Sequence, residues 1–333
     1  MPTACCGLSK RYTENNEAYQ LYLRGRFHFA KRTKDDILKG LEYFKQAISL
    51  EPNYALAHAA IADSYNSMPP YAYLSPKEAI PQAKAAVIRA LEIDPTLAEA
   101  HTAWANALAV YDWNWVEAER EFKRALELNP NDSGTPWRYG IFYLMPLGGL
   151  DEVIVELKRA LELAPLSLIH GANLSMACLY GRQYDRALAQ AKTTYGLEPN
   201  FVLGHCALSQ AYIVNGMYAD AIALSEKSLQ TDPTSQMMLG VAGYAYAKSG
   251  HQREAEEVIK RFKDIARTQY AASYFVAAIY VAIGNKDKAF AELDNCVATL
   301  DWWLHRLKVD PFMDPLRDEP RFKDLLKRLN LPE

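Results

Sequence analysis

Three motifs that would identify an enzyme are missing from this 333-residue chain. It contains no G-x-S-x-G nucleophile turn, no phosphate-binding P-loop and no H-E-x-x-H zinc helix. These absences predict a chain that is not an enzyme, with no catalytic residue, no metal ligand and no cofactor. Gly148 and Gly149 are adjacent and predict a turn between helices. His58, His101 and His205 occupy the same position in three predicted helices, which indicates packing contacts rather than metal ligands.

Other absences bear on location and partners. No apolar run reaches 18 residues and the N-terminus has no signal-peptide core, so we expect no insertion into a membrane. The 37 lysines and arginines are balanced by 40 acidic residues, with a net charge of −3. No basic stripe is left for direct binding of nucleic acid. The five cysteines are scattered, which favours a reducing, cytoplasmic compartment; they are Cys5, Cys6, Cys178, Cys206 and Cys296.

The chain does have a regular period. Alanines recur 34 residues apart at Ala187, Ala221, Ala255 and Ala289. Glycines keep nearly the same period at Gly181, Gly216, Gly250 and Gly284, as do prolines at Pro95, Pro130, Pro165, Pro199 and Pro233. Agreement among three residue types predicts a tandem repeat of about 34 residues.

Each repeat predicts two amphipathic helices, which we call helix A and helix B. The helix B segment 89–95 recurs at 124–130 and 159–165, each time ending in proline. Proline lacks an N–H and clashes with the preceding turn, so it ends helix B. We expect the repeated glycines to close helix A in the left-handed conformation. The repeated alanines are expected where helix B crosses helix A, because a larger side chain would separate the pair.

This pattern resembles the tetratricopeptide repeat over nearly the whole chain. The resemblance implies an all-α fold, a right-handed superhelical solenoid of tandem helix pairs. We divide the chain into a linker or cloning remnant (1–14), an array of about eight repeats (15–300) and a C-terminal helical cap (301–333). The second repeat carries about nine extra residues, and we expect this stretch, 66–76, to be a projecting loop.

A closer resemblance lies at both ends of the array. The segments 11–26, 111–115, 307–311, 314–317 and 320–322 are similar to the C-terminal repeat region of large bacterial signalling proteins. In that family the array follows a winged-helix domain, an adenylate cyclase or a protein kinase, often with a TolB-like domain between. None of these modules is in this sequence. The resemblance therefore implies a sensing or docking region and does not carry over the effector's activity.

The resemblance also implies that the A helices line a concave groove. On this basis the predicted ligand-binding residues are Asn106, Trp137, Arg138, Asn173, Gln210 and Tyr244. Asn106, Arg138 and Asn173 come from consecutive repeats and should lie side by side. Their carboxamides could pair with the main chain of an extended peptide while Arg138 pairs with a carboxylate. The alternative is that Arg138 pairs with an acidic neighbour inside the array.

The predicted function is a scaffold that binds a protein or extended peptide segment in the groove. The family's carboxylate clamp binds chaperone tails and needs basic residues at positions where this chain has Thr102 and Ile169. This difference argues against the binding of chaperone tails. The apolar tail after residue 301 is expected to cap the array; the alternative is a partner or dimer surface. Two rival functions remain, an enzyme with a non-standard hydrolytic site in the groove and a structural protein that oligomerises through its ends.

Overall fold

The computed structural model describes residues 13–332, and over this range the chain is helical and contains no strand. Residues 1–12, with Cys5, Cys6 and most of the predicted linker, lie outside the described residues, as does residue 333. The helices are α1 (Asn16–Ala30), α2 (Lys34–Leu50), α3 (Ala55–Asn66), α4 (Pro76–Ile93), α5 (Ala98–Val110), α6 (Trp115–Leu128), α7 (Gly134–Tyr139), α8 (Met145–Leu147), α9 (Leu150–Leu163), α10 (Leu168–Tyr180), α11 (Tyr184–Leu197), α12 (Val202–Val214), α13 (Tyr218–Thr231), α14 (Gln236–Lys248), α15 (Gln252–Ile265), α16 (Ser273–Ile283), α17 (Lys286–Thr299) and α18 (Pro320–Arg328).

Consecutive helices pack in pairs, and the pairs stack. Helix A of each unit contacts its own helix B, as α1 contacts α2 and α16 contacts α17. It also contacts helix A of the next unit, as α10 contacts α12 and α14 contacts α16. This is the predicted all-α superhelical solenoid of stacked helix pairs. No helix in the described range is both long and apolar enough to cross a bilayer.

The repeated small residues lie where the period places them, with one exception. Ala187, Ala221, Ala255 and Ala289 are completely buried. Gly216, Gly250 and Gly284 have φ of 75°, 85° and 87°, so they close helix A in the left-handed conformation as expected. Gly181 does not, because its φ is −75° and the next residue, Arg182, takes φ of 60° instead. The side chain of Arg182 reaches Asp314 near the C-terminus, at 2.7 Å.

The recurrent histidines tie each unit to the one before it. The Nε2 atoms of His58 and His101 donate to the carbonyl oxygens of Pro52 and Pro95, each at 3.0 Å. His205 makes the same bond to the proline six residues before it. These bonds give the histidines the predicted structural role at the junction between helix B and the next helix A.

The helix A of the fourth unit is irregular. After α7 the chain passes through a π-helical turn, Gly140–Leu144, before the short α8. Pro146 in α8 has no N–H to donate, so a regular α-helical ladder is interrupted at this point. Helix A of this unit ends at Gly148, whose φ of 95° makes the predicted turn before α9.

The extra residues of the second unit do not project. After α3 the chain forms a 3-10 turn at Pro69–Tyr71, which packs against the C-terminal turn Trp302–Arg306. The guanidinium of Arg32 donates to Ser67 Oγ at 2.7 Å, and Tyr73 donates to the carbonyl oxygen of Arg32 at 3.3 Å. The prediction of a projecting loop is wrong because these aromatic and proline side chains find apolar partners inside the superhelix.

The C-terminal segment, residues 301–332, does more than cover the last unit. Its two 3-10 turns, Trp302–Arg306 and Pro311–Leu316, lie along the faces of the A helices, where Phe312 packs on Tyr244 with ring centroids 4.5 Å apart. Helix α18 then packs on the exposed end of the array through ion pairs to α17, such as Arg321–Asp287 at 2.9 Å. The capping segment therefore also fills part of the groove.

Candidate functional site

A cavity lies in the middle of the groove, and we call it the central cavity. Its polar lining residues are Arg32, Asp63, Asn66, Ser67, Asn106, Arg138 and Asn173, and its apolar lining residues are Pro70, Tyr71, Trp137, Phe142, Ile169, Met176, Leu203, Met237, Trp302 and Trp303. Four of the six predicted binding residues, Asn106, Trp137, Arg138 and Asn173, therefore share one site. They come together because α5, α7 and α10 are successive A helices and present the same register to the groove.

The other two predicted binding residues do not line this cavity. Gln210 is fully buried in α12, where its Nε2 lies 3.5 Å from Cys206 Sγ. Tyr244 in α14 is covered by Phe312 of the C-terminal segment. Gln210 is therefore enclosed within the array, and the chain's own tail occupies the space in front of Tyr244.

Arg138 forms the ion pair that was the alternative to ligand binding. Its Nη2 donates to both carboxylate oxygens of Asp63, at 2.6 and 2.7 Å, and the two side chains are only 11% and 18% exposed. The pair crosses the groove from the fourth unit to the second. Burial pushes the pKa of Asp63 up, but the positive charges of Arg138, Arg32 and Arg26 hold the pKa below its ordinary value.

The carboxamides of the site are oriented by backbone carbonyls. Asn66 Nδ2 donates to the carbonyl oxygen of Ala103 at 3.1 Å, and Asn173 Nδ2 donates to that of Ile169 at 2.7 Å. The Oδ1 atoms of Asn66 and Asn106 are buried and have no hydrogen-bond partner in the described part of the chain. Unpaired buried acceptors are uncommon in proteins because they lose their bonds to water.

The aromatic wall of the cavity is built by two distant parts of the chain. Phe142, in the π-helical turn, contacts Trp137 at 5.5 Å and Trp302 at 5.7 Å between ring centroids. Trp303 lies beside Trp302, and its indole Nε1 is buried with no partner among residues 13–332. The two tail tryptophans were not in the predicted site, because the period that located the other residues ends before residue 301.

A wider cavity adjoins the central one and shares Arg32, Asp63 and Arg138 with it. It is also lined by Arg26, which is exposed, and by His170. Burial, assisted by the charge of Arg138, lowers the pKa of His170 to about 4, so this histidine is neutral near pH 7. Glu99 lines a third cavity with Arg26, and burial raises the pKa of its carboxyl group.

The C-terminal segment is held in the groove by a buried polar cluster. Arg306 Nη1 donates to the hydroxyl of Tyr180 at 2.7 Å, and Arg306 Nε lies 3.3 Å from Asp310 Oδ2. The hydroxyl of Tyr274 donates to the same carboxylate oxygen at 2.8 Å. The guanidinium also lies 4.2 Å from the ring centroid of Trp303. These contacts fix the segment against α10 and α16.

The tail then reaches back to the third unit. The indole Nε1 of Trp115, at the start of α6, donates to the carbonyl oxygen of Leu329 at 2.9 Å. Asn330 Nδ2 donates to the carbonyl oxygen of Trp113 at 3.3 Å. Units separated by more than 200 residues are thus joined by the C-terminal segment.

Comparison with known proteins gives partial matches. No established family model matches the sequence. The chain is 24% identical over 182 residues to the transcriptional regulator HilA of Salmonella typhimurium, covering 54% of this chain and 32% of HilA. It is 34% identical over 101 residues to the wheat (Triticum aestivum) Hsp70-Hsp90 organizing protein, covering 30% of this chain and 17% of that protein. The chain thus spans about a third or less of the length of these two relatives.

Solved structures with the same fold cover more of the chain. Human IFIT1, solved as a dimer with m7Gppp-AAAA, is similar over 80% of this chain and 68% of that chain, with a TM-score of 0.59 and 15% identity. Yeast Tom70 is similar over 96% of this chain and 69% of that chain, with a TM-score of 0.52 and 14% identity. PilW, a type IV pilus biogenesis factor, covers 65% of this chain and 94% of that chain, with a TM-score of 0.51 and 19% identity. At these identities the likeness shows the fold, and it supports the prediction of tetratricopeptide-type repeats.

Proposed function

We propose that this chain is a docking module that binds a segment of another protein in the open half of its groove. We define the open half as those parts of the inner faces of α1, α3, α5 and α7 that the C-terminal segment leaves uncovered, and the filled half as the inner faces of α10, α12, α14 and α16. The observation that carries the proposal is the C-terminal segment itself, because the groove already holds a non-repeat piece of polypeptide, with two 3-10 turns, in its filled half.

The way in which the tail is held indicates how a second segment would bind. Aromatic side chains of the A helices pack on tail residues, as Tyr244 packs on Phe312. Polar groups of the A helices bond to tail side chains, as Tyr180 accepts from Arg306. A preformed rigid surface limits the ordering entropy lost on binding, so an extended ligand can engage several units at modest cost.

The open half supplies a different set of contacts. It is lined by Arg26, Arg32, Glu99 and Asp132 around the Asp63–Arg138 pair. Opposite charges nearly balance there, so the chemistry favours a polar segment that carries both signs. A nucleic acid, whose affinity depends on many basic contacts to phosphates, is less well matched.

The finer context of this function is also part of the proposal. The resemblance of the chain ends to bacterial signalling proteins and the partial match to HilA both support a role as the sensing or docking region of a bacterial regulatory protein. Because the match to HilA covers a third of that protein, its activity is not carried over to this chain. Binding rather than catalysis is proposed, in a cytoplasmic setting.

A peptide selection with a matched pair of variants tests the proposal. Twelve-residue random peptides displayed on phage are selected on the full chain, and the enriched peptides are titrated by fluorescence polarisation. Arg26→Glu reverses a charge inside the open half, and Arg24→Glu reverses an exposed charge on the same helix that lines none of the cavities described above. We expect Arg26→Glu to weaken binding about tenfold, since a charge-assisted contact is typically worth 1.5–3 kcal/mol.

The control should bind like the wild type. Equal losses in both variants would show that only the net charge matters. Failure to enrich any saturable peptide, or displacement of the peptide by a single-stranded oligonucleotide with higher affinity, would overturn the proposal.

A further inference from the structure

The central cavity has the composition of a small-molecule site. Most of its lining side chains are aromatic or aliphatic, and a few polar side chains interrupt them. Small-molecule sites commonly have this mixture of apolar walls with a few polar groups. The 3-10 turn at Pro69–Tyr71 lines the cavity together with Trp302 and Trp303. This turn packs against the C-terminal turn that contains the two tryptophans.

Three buried polar atoms of the lining residues are unsatisfied within the described part of the chain. They are Asn66 Oδ1 and Asn106 Oδ1, which accept hydrogen bonds, and Trp303 Nε1, which donates one. Each of the three residues is at most 5% exposed. The Nδ2 atom of Asn66 donates to the carbonyl oxygen of Ala103, which fixes the orientation of the carboxamide. Its Oδ1 atom is therefore free to accept a hydrogen bond from a ligand. A ligand with N–H or O–H groups would satisfy the carboxamide oxygens.

The mouth of the cavity has one uncompensated positive charge. Arg138 and Asp63 neutralise each other. Arg32 also lines the cavity; its guanidinium bonds to Ser67 Oγ and lies 3.9 Å from the ring centroid of Phe29, and it forms no ion pair with any residue in the range 13–332. A half-buried cation without a carboxylate partner favours an anionic group on a ligand that enters the cavity. The same Arg32 faces the wider, solvent-connected cavity, which gives an entry route.

We propose that the central cavity binds a small, flat organic anion, a heteroaromatic carboxylate with at least one N–H or O–H donor. Its ring packs among Trp137, Phe142 and Trp302, its donor bonds to the Asn106 or Asn66 oxygen, and its carboxylate pairs with Arg32. The central cavity adjoins the open half and shares Arg32, Asp63 and Arg138 with it, but small-molecule binding and peptide binding are measured with different probes, so either proposal can fail while the other holds.

Three commercially available probes separate the parts of this proposal. Indole-3-acetate has the ring, the N–H donor and the carboxylate; indole-3-acetamide lacks the charge, and 1-methylindole-3-acetate lacks the donor. Each is titrated into the full chain and followed by saturation-transfer NMR. We expect saturable binding of indole-3-acetate, about tenfold weaker binding of the amide, and several-fold weaker binding of the N-methyl compound.

Variants assign the contacts to residues. Arg32→Met should weaken indole-3-acetate about tenfold and leave the amide unchanged, while Arg24→Met on the same helix should change neither. Asn106→Ala should weaken indole-3-acetate several-fold and leave the N-methyl compound unchanged. Two results with the wild-type protein would overturn the proposal: equal affinity for all three probes, or no saturable binding of indole-3-acetate at millimolar concentration. Neither result depends on whether a variant folds.

Discussion

The open and filled halves of the groove are built from the same repeat, yet they present different chemistry. The open half carries charged side chains such as Arg26 and Asp132, which remain in contact with solvent. The filled half presents aromatic side chains such as Tyr244 and Phe275, and the tail residues Phe312 and Trp303 pack on them. The repeat period therefore sets the direction in which a side chain points. The residue type at that position decides whether another segment of the chain covers the surface.

The halves also differ in how they compensate charge. In the filled half, Arg306 and Asp310 are almost completely buried, and the cluster includes two tyrosine hydroxyls. In the open half, Arg138 and Asp63 keep partial contact with water and pair in bidentate geometry. A buried charge that loses its partner is penalised more than a partly exposed one, so the two pairs should respond differently to the same kind of mutation.

Removing residues 301–332 should have the largest effect, because it turns the filled half into an exposed apolar surface. We expect a chain that aggregates, or that melts at least about 10 °C lower, since large exposed apolar patches are a liability in soluble proteins. Size-exclusion chromatography with light scattering and thermal melting are the measurements. A truncated chain that stays monomeric with the wild-type melting temperature would mean that the two halves do not differ in this way.

Arg306→Met should be the most damaging single change. It leaves the Asp310 carboxylate buried without its cation, a change that typically costs 3–5 kcal/mol. Urea unfolding followed by circular dichroism gives the difference in unfolding free energy. The double variant Arg306→Met, Asp310→Asn should recover part of the loss, because it removes the unpaired charge.

Arg138→Met should cost less, about 1.5–3 kcal/mol, because a charge-assisted bond is lost but Asp63 keeps access to water. The effect should depend on pH with a defined sign. The folded-state pKa of Asp63 lies below its unfolded value, so the pair stabilises the fold above the ordinary carboxylate pKa of about 4. That contribution is lost as the pH falls through the lowered folded-state pKa. Wild type and variant should therefore converge in stability as the pH falls below the folded-state pKa of Asp63, and a constant difference would contradict the assignment.

Trp115→Phe should have the smallest effect, about 1 kcal/mol, because it removes a single neutral hydrogen bond to Leu329 while keeping an aromatic ring. Hydrogen exchange at residues 326–331 is the sensitive readout, since the end of the tail should lose protection before the filled half does. A loss of protection across α10 to α16 would instead show that the filled half depends on this distant contact.

The sequence predicts the regular part of this molecule well, for physical reasons. Small residues at 187, 221, 255 and 289 and left-handed glycines such as Gly216 are local requirements, so the period reveals them. The same register brings Asn106, Arg138 and Asn173 to one cavity. At Gly181 the local rule failed, because Arg182 takes the left-handed conformation and reaches Asp314 in the tail.

The parts that could not be predicted depend on contacts between distant segments. The partner of Arg138, Asp63, lies two units away across the groove, a distance set by the twist of the superhelix rather than by sequence spacing. Gln210 and Tyr244 were predicted to face a ligand, but Gln210 is buried within the array and the tail residue Phe312 covers Tyr244. No periodicity describes the tail, because it is not a repeat, so its return into the groove follows only from three-dimensional packing.

The bond between Trp115 and Leu329 has a consequence for how the chain acquires its structure. Most solenoids are assembled from contacts between sequence neighbours, so their units can fold in turn as they leave the ribosome. Here the start of α6 cannot complete its contacts until more than 200 further residues have been made. Closing so long a loop is slow relative to pairing neighbouring helices. The first half of the groove can therefore form early, while its contacts with the end of the C-terminal segment form only after residue 329 has been made.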